Sequence, residues 1–490
     1  MTDNSLVIAT MALYMAICLG LGVVAWRRTN DLGDYILGGR SLGSWVTALS
    51  AQATDMSGWL LMGLPGLAYA SGFDGIWLLL GLAVGTWLNW RWIAAPLREA
   101  TERLQNSLTI PDFLERRFDD RSRMLRSIAA LFILVFFVFY TSSGFVAAGR
   151  LFETLFGLPY VEAMFWGSIV MLAYTFLGGF LAVSWSDVLQ GTLMFIALVM
   201  VAALGVALAG GFPTVFSRLQ VLDAALLDPF IADSGETLGL IGILSLLGWG
   251  LGYAGQPHIL ARFMAARSVG HITVARRVAM CWVVIVMVAA VLVGLTGRLV
   301  LPETLAGTDT EKVFILMSTT FLHPALAGIC LAGVMAAVMS TAAAQLLVAS
   351  SAFAQDFYGS LFRPQAGKRE LLWAGRLSVL AIAVLAFVIG LEPGNTVLGL
   401  VAWAWAGFGA AFGPVVILAL YDARTTRNGA LAGIITGGLT VILWKQGAAL
   451  GGIFALYELV PGFLLSTAAI MLVSRLDGAA GPQAGGLPAR

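Results

Sequence analysis

Charge is what this chain has least of. Asp, Glu, Lys and Arg make up only 11% of its 490 residues, against about 25% in a soluble domain. The net charge is +1, so no basic or acidic field points to nucleic acid or another polyelectrolyte as a partner. Cysteine is scarce as well. Cys18, Cys281 and Cys330 lie in apolar segments without paired spacing, which excludes a disulfide framework and a thiolate metal site; they read as buried small hydrophobes. No G-x-x-x-x-G-K-[ST] loop occurs, and Lys368 follows Gly367 without the glycine spacing of a phosphate cradle, so ATP is not the direct energy source. His258, His271 and His323 are expected near span ends, as neither proton relay nor metal ligands. With no nucleophile–base pair and no ligand cluster, the chain does not read as an enzyme. The N-terminal MTDNSLVIATM has no basic n-region or small-residue cleavage site, so no removed signal peptide is expected.

What the chain does have is apolar length. Hydrophobic residues reach 59%, in runs of ~20 residues that match a hydrocarbon core about 30 Å thick. The runs do not alternate in polarity, so a β-barrel is excluded and the class is an all-α polytopic membrane protein. The pattern predicts about thirteen spans, near 5–26, 43–71, 75–95, 127–149, 161–180, 187–211, 238–262, 278–300, 324–354, 372–391, 396–421, 429–446 and 452–474. Asp3 precedes the first span and Arg27 and Arg28 follow it, placing the N-terminus outside and the C-terminus in the cytoplasm. Most of the remaining Lys and Arg agree, clustering at Arg98 to Arg126, Arg262 to Arg277 and Arg363 to Arg369. The longer external loops, 212–237 and 301–323, carry only Arg218 and Lys312 beside several acids. Pro111 and Asp112 are placed to open a short interfacial helix. A single transmembrane domain is expected over 1–475, with a Gly/Pro/Ala-rich disordered tail over 476–490.

Four places break the apolar pattern. Asp55 lies in SAQATDMSGWLLMGLPG, where a carboxylate costs roughly 2.5–3.5 kcal/mol on insertion scales. Ser57-Gly58, Met62-Gly63 and Pro65 follow it, so the helix is poorly specified where the charge lies, as at a cation and solute site. No basic residue shares the span, and Arg40 and Arg91 stand near membrane ends; the competing reading is a structural ion pair or a neutral acid. The second place is GWGLGYAGQPHILARF, whose glycines and Pro257 weaken another span. Trp249 and Tyr253 are four apart and expected on one helix face. Two interrupted spans at matching places are the mark of transporters built from inverted repeats. Spans two and seven are five apart, which predicts a five-plus-five repeat with units about 43–211 and 238–421. The third place is AAVMSTAAAQ. Ser340 and Thr341 either bond back within a small-residue packing face or join the Ala337 carbonyl as oxygen ligands of a hard cation. The fourth, Tyr140 with Thr141, Ser142 and Ser143, is either a site group or a satisfied core aromatic.

Taken together, DYILGGRSLG, DMSGWLLMGLPG, FLGGFLAVSWSD, GWGLGYAGQPHILARFM, AAVMST and WAGFGAAFGPVV resemble the sodium/solute symporter family. The first, second and fourth resemble its proline branch. The resemblance implies a LeuT-type five-plus-five core with flanking helices, in the inner membrane of a bacterial cell. It implies Na+ as coupling ion and L-proline as substrate, with the lipid bilayer as surroundings and no nucleic acid or obligate protein partner. Carried over, the Na+ ligands are the carbonyls of Ala53, Met56 and Ala337 and the hydroxyls of Ser340 and Thr341. Asp55, Ser57 and Gly58 would lie beside the ion and couple it to solute, while Tyr140, Trp249, Tyr253 and Pro257 line the proline pocket. Gln52 and Thr54 stand where the family pattern has Gly and Ser. The alternatives are a symporter of the same family for another amino acid or small organic solute, and a membrane sensor of proline that does not transport.

Overall fold

A computed structural model describes residues 4–26, 36–177, 180–232, 235–363, 365–392 and 394–478. The expected tail and the residues Asp3, Arg27 and Arg28 used for orientation lie outside these, apart from the last residues before 479. The first part of the chain forms α1 (Asn4–Trp26), α2 (Ser44–Asp55), α3 (Leu64–Ser71), α4 (Ile76–Leu88), α5 (Ala94–Arg103), α6 (Ile110–Arg117), α7 (Met124–Phe156), α8 (Tyr160–Leu177) and α9 (Phe180–Leu208). There follow α10 (Phe212–Leu222), α11 (Leu240–Gly248), α12 (Pro257–Met264), α13 (Val269–Val300), α14 (Val313–Phe321) and α15 (Pro324–Ser351). The last four are α16 (Lys368–Gly390), α17 (Val397–Tyr421), α18 (Arg427–Gly447) and α19 (Leu459–Asp477). Among the described residues the only extended pairings are two isolated bridges, Leu42 with Ala266 and Ile231 with Thr237.

Eight helical stretches among the described residues are long and apolar enough to cross a membrane, not thirteen. The difference has a physical source. The expected second span is cut after Asp55, and the seventh is cut at Gln256, so neither persists as one uninterrupted helix. The third merges with its neighbours into a helical stretch running Trp59–Arg103. Three shorter apolar helices, Ser5–Leu21, Tyr160–Ala173 and Leu240–Gly255, complete the apolar set. The predicted opening at Pro111 is present as α6, where Thr109 caps the helix by accepting from Asp112 N at 3.1 Å.

Burial sorts the bundle into centre and rim. In α15 and α17, 83% of the apolar window is buried, against 33% in α16 and α19. Small residues allow α15 its central place: Ala, Gly and Ser fill its sequence, and nearly every side chain from Cys330 to Leu347 is buried. On α16, Leu377, Val384 and Val388 form an exposed stripe whose spacing suits a lipid-facing side. Cys281 on α13 is exposed, unlike Cys18 and Cys330, so the expectation of three buried thiols fails there. It sits on an outward stripe with Val284, Ile285 and Val288.

Polar ties hold the ends of the broken segments. Leu42 N donates to Ala265 O at 3.2 Å and Arg267 N to Leu42 O at 2.9 Å, joining the entry of α2 to the exit of α12. Arg40 donates to Met264 O at 2.6 Å and Arg98 to Ala266 O at 2.6 Å. At the other end, buried Glu311 accepts from Val397 N at 2.9 Å and Leu398 N at 3.0 Å, satisfying amides that open α17. Before α7, burial works against ionisation of Asp120, yet hydrogen bonds from Ser122 and Leu125 N and the Arg427 guanidinium hold its carboxyl below the usual range.

The crossing of α4 with the chain after α11 is a backbone-to-backbone contact, made at Gly85 and Gly250. A Cβ at Gly85 would enter the Gly250 backbone, whereas one at Gly75 would meet Leu67 Cδ2 at an ordinary 3.7 Å. Gly85→Ala is therefore expected to destabilise the fold by about 1–3 kcal/mol or more, and Gly75→Ala to have a much smaller effect. Thermal unfolding of both variants in detergent checks this; equal midpoints would show that the crossing yields.

Candidate functional site

The first break begins where Met56 leaves the helix, with φ −84° and ψ 74°. Its amide still caps onto Gln52 O at 2.8 Å, and Ser57 N turns back to Asp55 O at 3.0 Å. The chain resumes through Gly58 and a π-helical turn, Trp59–Gly63, before α3. Gly58 fits because a Cβ there would stand 2.9 Å from Ala147 Cβ. The Asp55 carbonyl is taken up by Trp59 Nε1 at 3.1 Å and the Tyr140 hydroxyl at 3.4 Å. Its carboxylate is 1% exposed and neither oxygen accepts a hydrogen bond from the protein. Ser57 Oγ is buried and equally unpartnered.

Opposite this break, α15 presents its hydroxyl pair. Ser340 Oγ donates to Ala53 O at 2.7 Å and lies 3.1 Å from Ala337 O. Thr341 Oγ1 lies 3.4 Å from the same Ala53 carbonyl. Four oxygens of the expected ligand set thus converge between α2 and α15, with no nitrogen or sulfur among them. Hard monovalent and divalent cations take such all-oxygen shells. A hydroxyl donating to a carbonyl keeps lone pairs, so a cation entering between them replaces the hydrogen bond rather than an orphaned group. Met56 stands at the break itself as the non-helical cap of α2. Gln52 and Thr54 do not reach into this cluster through free hydroxyls or amide oxygens: Gln52 Oε1 accepts from Trp90 Nε1 at 3.3 Å, and Thr54 Oγ1 bonds to Ser50 O at 2.9 Å.

The second break tightens before it opens. After α11 the chain runs as a 3-10 helix, Trp249–Gly255, and extends at Gln256 (φ −84°, ψ 105°) before Pro257 starts α12. Gln256 Nε2 covers the Gly252 and Trp405 carbonyls at 3.1 and 3.2 Å. The winding is tighter, three residues per turn, yet Trp249 and Tyr253 both meet Trp405. Trp249 stacks on it (6.5 Å, 28°) and on Tyr457 (5.4 Å, 21°). Tyr253 meets Trp405 edge-on at 4.9 Å. They are linked through Trp405, whose Nε1 donates to Trp249 O at 2.8 Å. The buried Tyr253 hydroxyl faces the Asp55 carboxylate and the Thr86 hydroxyl without the geometry of a hydrogen bond. Tyr140 is also close to Asp55, beside Ser57 and Trp59.

Two features escaped the sequence. His258, expected near a span end, is fully buried, edge-on to Tyr140 at 5.7 Å and to Phe137 at 5.8 Å, with both ring nitrogens unpartnered. It lies inside because the break at Gln256 divides its span, which makes it an early residue of a new helix. The other feature is the buried pair Arg262–Asp187 at 3.4 Å, bridged by Ser50, which donates to Asp187 Oδ2 at 2.6 Å and accepts from Arg262 Nε at 3.2 Å. The signal for it was present: opposite charges in two apolar helices are each costly in lipid and call for one another.

A family model described as Sodium:solute symporter family matches residues 35–437. The chain is 47% identical over 481 residues to the sodium/proline symporter of Escherichia coli K12, covering 97% of this chain and 94% of that one. It is 44% identical over 471 residues to the osmoregulated proline transporter OpuE of Bacillus subtilis, covering 96% and 94%. Among solved structures it resembles a Na+-coupled sialic acid symporter in a substrate-bound, outward-open state, with TM-score 0.78, 20% identity and coverage of 97% and 98%. A nucleobase-cation-symport-1 family transporter in a closed conformation gives TM-score 0.57 at 12% identity, covering 91% and 96%. These structures establish an all-α, LeuT-like membrane fold. With the family model spanning most of its length and close relatives spanning nearly all of it, the chain belongs to the sodium:solute symporter family.

Proposed function

We propose that this protein is a secondary active transporter that couples inward Na+ movement to uptake of L-proline by alternating access. The observation that carries the reading is the convergence of Ser340, Thr341 and the Ala337 carbonyl on Ala53 O, beside the unpartnered Asp55 carboxylate. The names of its relatives, sodium/proline symporter and proline transporter, supply the ion and the solute. Ala53, Met56, Ala337, Ser340 and Thr341 hold Na+. Asp55, Ser57 and Gly58 let ion and solute sense each other across the first break. Tyr140, Trp249, Tyr253 and Pro257 enclose proline, a zwitterion whose ring suits aromatic faces and whose carboxylate suits half-helix N-termini.

The same reading assigns the finer architecture. Two inverted units of five helices meet at the breaks. The N-terminus is outside and the C-terminus in the cytoplasm of an inner-membrane protein. Sodium entering from outside orders the broken segments and raises proline affinity before the core turns inward. One Na+ crossing about 100 mV supplies roughly 2.3 kcal/mol, and a tenfold gradient adds about 1.4 kcal/mol. A one-to-one cycle thus supports accumulation up to about 500-fold.

Labelled proline uptake into proteoliposomes, with and without a sodium gradient, tests the function; uptake indifferent to sodium would refute it. Asp55→Asn should reduce sodium-driven uptake by at least about tenfold, the effect of a charge-assisted contact of 1.5–3 kcal/mol, with protein still present in the membrane. Near-normal uptake with unchanged sodium dependence would remove Asp55 from the site. Ser340→Ala combined with Thr341→Ala should raise the sodium concentration for half-maximal uptake, again by about tenfold or more. A change in the proline requirement alone would move both hydroxyls to the solute pocket.

A further inference from the structure

A second charged cluster lies at the far end of α15 from Pro324, where the helix continues beyond Ser351 as a π-helical extension, Ala352–Phe362. The wider turn, with i→i+5 bonding, shifts the register of the residues that follow. Asp356 in this extension has a side chain with no solvent exposure. Arg126 Nε donates to its Oδ1 at 2.6 Å, and Thr109 Oγ1 donates to its Oδ2 at 3.0 Å. Arg126 Nη1 also stands 3.2 Å from Glu115 Oε2 and 3.6 Å from Asp112 Oδ1. Asp112 is in turn held by Arg116 Nε at 2.8 Å and accepts from Leu108 N at 3.0 Å. Three elements are thereby joined: the start of α6, the first turn of α7 and the extension of α15.

Under this junction lies a cavity of ≈ 20 Å³, walled by Thr109, Pro111, Pro257, Met264, Leu347 and Asp356 among others. That is room for about one water. Its position matters more than its size. Its lining includes both Pro257, which opens α12 after the second break, and Asp356. The cavity thus touches Pro257 of the proposed solute pocket and Asp356 of the ionic junction, and Thr109, Ile110 and Pro111 form part of its wall. Apolar side chains do the filling, among them Ile110, Ile133 and Leu347, while Asp356 anchors the plug through Thr109.

We propose that Asp356 and Arg126 are positioning residues that latch the Thr109–Pro111 plug across the passage by which ion and solute leave for the cytoplasm. This rests on the transport reading given above. The arrangement suits a two-state element. In the closed state a buried carboxylate is paired and hydrogen-bonded, and losing one partner leaves it uncompensated. In the open state the plug moves away, water enters, and the exposed charges are solvated. Closure then combines apolar contacts with a few directed polar ones, and losing a polar one shifts the balance toward opening.

Accessibility labelling tests the latch without any solute. In a background with Cys18→Ala, Cys281→Ala and Cys330→Ala, the reporter Leu347→Cys sits in the cavity wall and is 6% exposed in the native residue. A membrane-impermeant maleimide is applied to inside-out and right-side-out vesicles. Asp356→Asn is expected to raise the labelling rate in inside-out vesicles by about tenfold or more, as the loss of a charged hydrogen bond implies. Thr109→Val, which removes the hydrogen bond to Asp356 and the cap on Asp112 N but no charge, should raise it by several-fold, whereas Thr109→Ser, which keeps both bonds, should not; this pair decides the matter if Asp356→Asn does not reach the membrane. Arg126→Lys should label more slowly than Arg126→Gln, a difference that loss of packing alone would not produce. Unchanged labelling in the Asp356→Asn and Thr109→Val variants, or a rise only in right-side-out vesicles, overturns the latch. Sodium-driven proline uptake by the unmodified protein is read separately, so either proposal can fail while the other stands.

Discussion

A backbone group inside a bilayer has no water to bond, so every interruption of a membrane helix must be satisfied by the protein itself. The rest of this structure follows from how two interruptions meet that demand. At the first, Asp55 O is taken by Trp59 and Tyr140, and Ala53 O by Ser340 and Thr341. At the second, Gln256 covers carbonyls of its own segment and of α17, while Trp405 covers Trp249 O. Of the groups that satisfy these carbonyls, Tyr140, Ser340 and Thr341 are also residues of the proposed site. In that proposal, a cation that displaces a hydroxyl hydrogen bond changes how the broken helix is held.

Rigid surroundings keep so fragile a region in place. The central helices α15 and α17 are buried on nearly all sides, and glycines let α4 and the chain at Gly250 approach through their backbones. Ties at both ends, Leu42 to Ala265 and Arg267 on one and Glu311 to the start of α17 on the other, hold the half-helices in place. Charged groups sit at these junctions and not in the middle of lipid-facing helices. In the bundle interior the Asp187–Arg262 pair is mutually neutralising, whereas the Asp55 carboxylate has no such partner. That asymmetry is the ground for placing Asp55, and not Asp187, in the proposed site.

Much of this was legible beforehand, for physical reasons. The apolar runs required helices, and glycine, proline and a lone carboxylate marked the two places where helices fail. Ser340 and Thr341 were visible as hydroxyls in a helix of small residues, though whether they bond within their own helix or across to another was not. Ser340 does both, reaching Ala337 O on its own helix and Ala53 O across the gap, and Thr341 reaches Ala53 O. The spacing of Trp249 and Tyr253 placed them together, but did not show that their segment winds as a 3-10 helix or that Trp405 is the ring both meet. His258 was placed by counting from the ends of a span that the structure divides.

By itself, then, the sequence determined the solvent of this protein and the weak points of its helices, since hydropathy and backbone propensity act locally along the chain. It determined that a carboxylate would be held where no cation of the protein lies nearby in sequence. Only the tertiary structure decided which groups meet: that Ala53 faces Ser340, that Tyr140 and Tyr253 lie close to Asp55, that Arg262 finds Asp187, and that Asp356 holds Thr109. Those pairings join residues far apart in the chain, and no local preference encodes them. They arise because breaks, buried charges and hydroxyls in a membrane protein must find partners within the bundle.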